Sequence, residues 1–340
     1  MSGDDNSTDY DSIIEKIKDK KTEMYQNVSG NITKQYQHEI RMTYLIIYSI
    51  VLILGVTLNF IVIFISCLKN KNSPKVATWI MALALTHFVS CISIVFQFLY
   101  AYNNFIWNYG SPSCKLSSYI TYGSMFSTSA MLSFWSISST FSKVACIKKC
   151  KNCNLILISF SWTIAAVLAC PSLFSREIRS SQCIDDYDLD KAKTTQDGII
   201  RLKTVVVMRF LLGLLVPALI MFLSYLASAQ RTCQDCKKQA QIICAIKISY
   251  FVFWGPQIVL TMLQATVNES LGSNMLRYGL PGATAMAIAH CCIFPLIYLL
   301  FGGSIKMNWM THDPDHGMED YNGIRLQISQ RVCLCGGVRS

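Results

Sequence analysis

The chain has 340 residues, of which 52% are hydrophobic and only 15% are charged, and its formal net charge is +10. A soluble domain usually carries about 25% charged residues, because it has to cover itself with a wetted surface. The composition therefore excludes a disordered protein, a nucleic-acid-binding module and an ordinary cytosolic enzyme. Much of the positive charge lies in short loops between apolar runs, which is typical of an integral membrane protein with lipid, not nucleic acid, as its surroundings.

Seven apolar runs are long enough to cross a bilayer as helices, which takes roughly 20 residues each. We predict spans at 43–67, 77–100, 112–145, 154–175, 204–228, 240–264 and 278–301. The third run is overlong and is expected to tilt. The prediction is an all-α bundle of seven transmembrane helices over residues 43–302. A tail of residues 1–42 precedes the bundle, and a tail of residues 303–340, opening with a short amphipathic helix, follows it.

Basic residues predict the orientation of the bundle, since lysine and arginine concentrate in cytosolic loops. The loops after the first, third and fifth spans are basic, whereas those at 101–111 and 265–277 together contain one basic residue, Arg277. The N-terminus is therefore expected outside the cell, with the protein at the plasma membrane. Four glycosylation sequons lie on the side predicted to be external, and they begin at Asn6, Asn27, Asn31 and Asn268.

Two of the 15 cysteines, Cys114 and Cys183, lie on the external side away from span interiors, and we predict a disulfide between them. Two Cys-x-x-Cys pairs lie in separate cytosolic loops and supply enough thiolates for a tetrahedral zinc site. They also fit free or lipid-modified thiols, the interpretation that we prefer. These residues are Cys150, Cys153, Cys233 and Cys236. Cys333 and Cys335 in the basic tail are predicted palmitoylation sites.

Short motifs follow one another in order along the spans. They are Asn59; Leu83-Ala84-Leu85-Thr86-His87; Trp107-Asn108-Tyr109-Gly110 with Cys114; Trp162 with Pro171; Pro217 with Tyr225; Phe253-Trp254-Gly255-Pro256; and Phe294-Pro295-Leu296-Ile297-Tyr298. Over about residues 43–310 the chain resembles the rhodopsin-like (class A) G-protein-coupled receptors. The resemblance implies an extracellular ligand, and a heterotrimeric G protein and arrestin-like adaptors as cytosolic partners. It also implies homodimers or heterodimers with other receptors, and no cofactor.

Within that family the chain is most similar to the chemokine-receptor branch and its divergent, often herpesvirus-encoded relatives, which would place it in a host cell membrane. The third cytosolic loop is short, and the tail contains Asp9-Tyr10-Asp11, in which Tyr10 is a candidate for sulfation. The chain departs from the branch in lacking a second external cysteine pair. It also has Thr284 where many chemokine receptors have glutamate.

The resemblance assigns activation roles to several residues. Trp254, beside Pro256, is the candidate toggle under the ligand pocket, and Pro295, Tyr298 and Tyr225 complete the motifs. The family's Asp-Arg-Tyr at the end of the third span is replaced here by Ser138-Ser139-Thr140. Losing the arginine's restraint raises basal activity, whereas losing its contact to the G protein, worth about 1–3 kcal/mol, lowers coupling. Both outcomes stay open.

The polar core expected at mid-membrane is also altered. Asn59 is retained, but His87, Thr128 and His290 stand where most family members bind sodium through a carboxylate. Without a carboxylate, a hard cation loses its charge partner and most of its oxygen ligands, so we predict no sodium effect. Neutral imidazoles hydrogen-bonded in the core are favoured over a functional histidine pair.

The candidate ligand pocket lies in the external half and includes Arg209, Thr121, Thr284 and Trp107. A buried arginine requires an anionic partner. Either an acid of the ligand or the acids at 185–190 satisfies this requirement. By resemblance, Thr121 replaces the aspartate of aminergic receptors, which argues against an amine ligand.

The favoured function is a receptor for a peptide or chemokine-like ligand. The alternative is a receptor-like protein that does not signal, and instead scavenges ligand or pairs with other receptors. The sequence contains no hydrolase motif, no internal repeat typical of transporters and no channel filter, so we predict no enzymatic activity.

Overall fold

The structure is a computed structural model that describes residues 38–68, 74–141, 152–179, 181–185, 195–228, 234–266 and 273–302. Seven long helices run through these residues: α1 (His38–Leu68), α2 (Pro74–Tyr102), α3 (Gly110–Thr140), α4 (Cys153–Ala169, continued by a short helix Pro171–Ser175), α5, α6 (Gln234–Thr266) and α7 (Ser273–Gly302). Helix α5 consists of α-helical Gln196–Phe210, a π-helical turn Leu211–Leu215 and α-helical Val216–Ser228. The bundle confirms the predicted fold class.

Six of these helices, all except α3, are long and apolar enough to cross a membrane. Helix α3 is less apolar because it is rich in serine. It lies at the centre of the bundle, where α2, α4 and α5 pack against it and cover its polar residues. About half of its residues are buried. A bundle whose centre is polar and whose outer helices are apolar is suited to hydrocarbon solvent.

The outer surface of the bundle is apolar, unlike that of a soluble protein. Ile53 and Phe60 on α1 are 66% and 61% exposed, and Leu223 on α5 is 62% exposed. Exposed apolar side chains on this scale require lipid or protein to cover them. They are consistent with helices that cross a bilayer.

Helix α5 begins at Gln196, well before the predicted start of its span at residue 204. The first turn is stabilised by Thr195, whose Oγ1 accepts a hydrogen bond from the Gly198 N–H at 3.1 Å, and by Asp197, whose negative charge suits a helix N-terminus. Hydropathy predicts the part of a helix that lies in hydrocarbon, so this polar extension was missed. Helix α3, in contrast, ends at Thr140, before the predicted end at 145.

The core consists of two packed regions. The larger one runs through the middle of the bundle and includes the stacked rings of Trp79 and Trp135, whose centroids are 6.2 Å apart. The smaller one joins α1, α2 and α7 near Gly55. A Cβ atom at Gly55 would lie 2.9 Å from Cys91 Sγ, so glycine lets these helices approach closely.

The loop after α4 forms a two-stranded antiparallel hairpin of β1 (Arg176–Arg179) and β2 (Gln182–Asp185), with Ile178 opposite Cys183. The hairpin lies against the beginning of α3. It therefore positions the Cys183 segment over the end of the bundle that is predicted to face outward.

Candidate functional site

The hairpin is attached to the first turns of α3 by one covalent and several polar contacts. Cys114 and Cys183 are joined by a disulfide, with their Cα atoms 5.7 Å apart. Lys115 Nζ lies 3.0 Å from Glu177 Oε1, and the Ser111 hydroxyl donates to the other carboxylate oxygen at 3.5 Å. This end of the bundle is therefore held in place before any ligand contacts it.

Trp107 is part of the same assembly. Its ring is buried against Phe96, Tyr100 and Tyr109, and its Nε1 donates to the Gly110 carbonyl at 3.1 Å. Its backbone N–H donates to the Ser181 carbonyl at 2.7 Å. The described contacts of Trp107 therefore join α2, α3 and the hairpin. A contact between Trp107 and a ligand stays a prediction.

Arg209 belongs to α5 and its side chain packs against α3, with only 5% of its surface exposed. Its guanidinium carbon is 3.6 Å from the centroid of the Tyr122 ring, which is a cation–π contact. Tyr122 follows Cys114 by eight residues, or roughly 12 Å along α3. A buried positive charge is thus placed about two turns below the hairpin.

The structure gives less information about the other two pocket candidates, Thr121 and Thr284. The Thr121 hydroxyl donates to the Ser117 carbonyl of its own helix at 2.8 Å, and Thr284 on α7 is partly buried. The loop acids at 186–190 lie outside the described residues, so the choice between an internal acid and a ligand acid for Arg209 is not tested.

Four residues predicted to form a polar core are all buried at mid-bundle. The Asn59 amide donates to the carbonyls of Gly55 and Cys291, both at 2.8 Å, and so ties α1 to α7. The rings of His87 and His290 make an edge contact, with their centroids 5.0 Å apart. The side-chain hydroxyl of Thr128 and the Nε2 atoms of both histidines have no hydrogen-bond partner among the described residues.

This arrangement differs from the satisfied imidazoles that the sequence favoured. The histidines contact aromatic rings, since His87 lies 5.4 Å from Phe294 and His290 lies 5.7 Å from Tyr250 by ring centroids. Within the described ranges, no group of three or more His, Cys, Asp or Glu side chains is arranged to hold a metal ion.

Tyr250 links three helices at the level of the π-helical turn. Its hydroxyl donates to the Gly213 carbonyl on α5 at 2.7 Å and lies 3.5 Å from the Met125 carbonyl on α3. In a regular α-helix the Gly213 carbonyl would accept from residue 217, which is a proline without an N–H. Tyr250 thus supplies a donor that the α5 backbone lacks.

The amino-acid sequence of the chain matches a known protein family. A family model described as 7 transmembrane receptor (rhodopsin family) matches residues 58–298, well over half of the chain. The chain belongs to the rhodopsin family of seven-transmembrane receptors. The predicted family is therefore confirmed.

Relatives narrow the position within the family. Human Chemerin-like receptor 1 is 29% identical over 287 residues, covering 78% of this chain and 76% of that protein. The C3a anaphylatoxin chemotactic receptor of Oncorhynchus mykiss is 27% identical over 81% and 78% of the two chains. The C5a anaphylatoxin chemotactic receptor 1 of Oryctolagus cuniculus is 25% identical over 76% of each. These relatives are related to the chemokine-receptor branch, and a herpesvirus relation stays a prediction.

The triplet Ser138-Ser139-Thr140, predicted by resemblance to replace the family's Asp-Arg-Tyr, lies at the end of α3. The Ser138 hydroxyl donates to Asn154 Oδ1 on α4 at 3.3 Å. Ser139 donates to the Trp135 carbonyl at 2.7 Å, and Thr140 to the Ser136 carbonyl at 3.0 Å. The Ser139 hydroxyl is therefore directed along its own helix, while Tyr225 on α5 is 61% exposed.

The remaining residues with predicted activation roles lie in the packed centre or at its edge. Trp254 is buried in the larger core region, and Tyr298 packs against it. Pro256 and Pro295 lie inside α6 and α7 without ending them, as membrane helices permit.

Several predicted sites fall outside the described residues: Tyr10, Asn6, Asn27, Asn31, Asn268, Cys150, Cys233, Cys333 and Cys335. Cys153 begins α4, and Cys236 lies in α6, where its side chain is not described. The zinc, glycosylation, sulfation and palmitoylation hypotheses are therefore not tested.

Sequence reasoning missed Tyr250, Gly213 and Tyr122 as parts of the site. Pro217 was a usable signal for Gly213, since a proline leaves the carbonyl four residues earlier without its helical donor. No local pattern identified Tyr250 or Tyr122, because an aromatic residue in an apolar helix is usually a packing residue.

Proposed function

We propose that the chain is a cell-surface receptor for an extracellular peptide or small protein whose acidic group binds Arg209. The observation that carries this proposal is a permanently charged guanidinium buried between α3 and α5, with Tyr122 beneath it at 3.6 Å. A guanidinium is planar and offers several N–H donors, so it can stack on a ring and bind a carboxylate at its edge.

The relatives support a ligand of this class. Two of them are named as receptors for the anaphylatoxins C3a and C5a and one as a chemerin-like receptor. A chemokine-like ligand is the other candidate, suggested by the resemblance of the sequence. The proposal includes an external N-terminus glycosylated at Asn6, Asn27 and Asn31 and sulfated at Tyr10, with a palmitoylated cytosolic tail.

Binding of labelled C3a, C5a and chemerin to cells that display the receptor tests this proposal. Arg209→Gln is expected to weaken binding of the recognised ligand by about 10-fold or more, since a hydrogen bond to a charged group contributes about 1.5–3 kcal/mol. Arg201→Gln, on the exposed side of the same helix, is the matched control and should change affinity little. Equal effects of the two variants would contradict the proposal.

A second function is favoured by the cytosolic triplet. With its hydroxyl donated to Trp135, Ser139 has neither the length nor the charge to replace an arginine that contacts a G protein. A receptor-like protein that captures ligand or pairs with other receptors without G-protein coupling is therefore the competing proposal.

Ligand-independent G-protein activation, at matched surface expression, separates the two functions. Basal activity in the wild type would show that the serine permits coupling without restraint. A silent wild type together with an active Ser139→Arg variant would support the non-signalling function. Ser138→Arg is the control, since Ser138 instead contacts Asn154 on α4.

A further inference from the structure

A groove of about 340 Å³ lies on the outside of the bundle between α2, α3 and α4. Its lining includes small residues, among them Gly123 on α3 and Ala165 and Ala166 on α4. At its rim, Leu85 and Val89 on α2 are each 43% exposed. Because these helices cross a bilayer and the rim is apolar, the groove opens to lipid hydrocarbon and not to water.

One residue of the lining, Ser127, has a hydroxyl without a hydrogen-bond partner among the described residues. Ser127 is 3% exposed and lines the groove, and its Oγ makes no hydrogen bond within the described part of the chain. Two other polar side chains of the lining, Thr86 and Trp162, are hydrogen-bonded. Thr86 Oγ1 accepts from Trp162 Nε1 at 3.0 Å and donates to the Ala82 carbonyl at 3.0 Å. A buried polar group without a partner requires an explanation, and a ligand supplies one.

Ser127 lies close to the middle of the bilayer. In α3 it follows Gly110 by about 26 Å and precedes Thr140 by about 20 Å, at 1.5 Å per residue. Ordinary membrane lipids have only hydrocarbon at this depth. A lipid that bonds to Ser127 must therefore carry an oxygen far from its headgroup.

We propose that this groove binds a sterol hydroxylated on its side chain. The rigid, flat ring system packs against Gly123, Ala165 and Ala166, and the side-chain hydroxyl hydrogen-bonds to Ser127. Tyr119, which also lines the groove, precedes Ser127 by about 12 Å along α3 and lies toward the Cys114 end. The ring 3-hydroxyl then reaches the membrane surface on that side. A rigid ligand loses little conformational entropy on binding, which favours a sterol over a flexible acyl chain.

The proposal rests on the bundle and its position in lipid, not on the identity of an extracellular ligand. The two proposals therefore succeed or fail separately. Variants in the groove are expected to leave Arg209-dependent peptide binding measurable.

The test uses the full-length receptor in phosphatidylcholine nanodiscs with radiolabelled 25-hydroxycholesterol as the probe. Saturable binding is expected, with cholesterol competing about 5-fold to 10-fold more weakly because it lacks the second hydroxyl. Ser127→Ala is expected to remove this difference by lowering affinity for the hydroxylated sterol only. Gly123→Leu is expected to abolish sterol binding, because the added side chain fills the groove. The helix has room for the substitution, since the nearest atom to a Cβ at Gly123 is Ala169 Cβ at 3.8 Å.

Gly282→Leu is the matched control, because nothing lies within 4 Å of a Cβ at Gly282 on α7, and it should bind like the wild type. Ala166→Phe, at an exposed position of the lining, blocks the groove without entering the core and decides the question if Gly123→Leu does not fold. Non-saturable binding, equal affinity for cholesterol, or full binding by a blocked variant would overturn the proposal. Stronger competition by 12-hydroxystearic acid than by the sterol would also overturn it, in favour of an acyl ligand.

Discussion

The hydroxyl of Tyr250 on α6 donates a hydrogen bond to the carbonyl of Gly213 on α5 at 2.7 Å. This bond joins two helices through a backbone acceptor that Pro217 leaves without its usual helical donor. The same ring makes an edge contact with His290 on α7. Tyr250 therefore connects the π-helical turn of α5 with the polar core.

Replacing Tyr250 with phenylalanine should destabilise the receptor, because the ring stays while the buried Gly213 carbonyl loses its donor. A buried acceptor left unpaired costs about 1–3 kcal/mol, which thermal unfolding of detergent-solubilised protein would detect. Tyr119→Phe is the control, since its hydroxyl bonds to the Ala166 carbonyl at 3.3 Å in a more exposed setting. Equal melting temperatures for the two variants would contradict a linking role for Tyr250.

Alanine substitutions at three glycines should rank by the space around each Cβ. Gly55→Ala meets Cys91 Sγ at 2.9 Å and Cys291 Sγ at 3.2 Å, and Gly213→Ala meets the flexible end of Met125 at 3.1 Å. Overpacking usually costs about 1–3 kcal/mol, so Gly55→Ala should lower the melting temperature most and Gly213→Ala less. Gly282→Ala has open space and should be neutral or stabilising. The reverse order would show that α1 and α7 are not in close contact.

Removing the ring under Arg209 should weaken the half of the bundle that lies next to the hairpin. Tyr122→Phe keeps the aromatic face, whereas Tyr122→Leu removes it, and a cation–π contact contributes about 0.5–2 kcal/mol. We therefore expect Tyr122→Leu to lower both thermal stability and ligand affinity, and Tyr122→Phe to lower neither appreciably. If the phenylalanine variant lost as much as the leucine variant, the tyrosine hydroxyl and not the ring would be responsible.

Sodium should not affect the receptor differently from potassium, because the polar core contains His87, Thr128 and His290 and, among the residues that the structure describes, no carboxylate. Melting temperatures and ligand affinities in matched sodium and potassium chloride are expected to coincide. His87→Asp restores a carboxylate to this position, and sodium sensitivity should then appear. A sodium effect in the wild type would show that neutral oxygen atoms alone hold the ion.

The sequence by itself determined the number of helices, their approximate positions and the family. The physical reason is that a bilayer sets the length and apolarity of each span, and that signals such as Pro217, Pro256 and Pro295 are local. It also identified the residues that the structure joins as a disulfide, Cys114 and Cys183, because few cysteines lie outside the spans on the side predicted to be external.

Tertiary structure decided which side chains meet. The contact of Arg209 with Tyr122, the edge contact of His87 with His290 and the bond from Tyr250 to Gly213 each join different helices. Such pairs depend on the rotation and depth of each helix, which are set by packing summed over many residues. The polar start of α5 at Gln196 also emerged only from three-dimensional structure, as did the Ser127 hydroxyl, which has no hydrogen-bond partner within the described ranges. Hydropathy records how apolar a segment is and not what surrounds it.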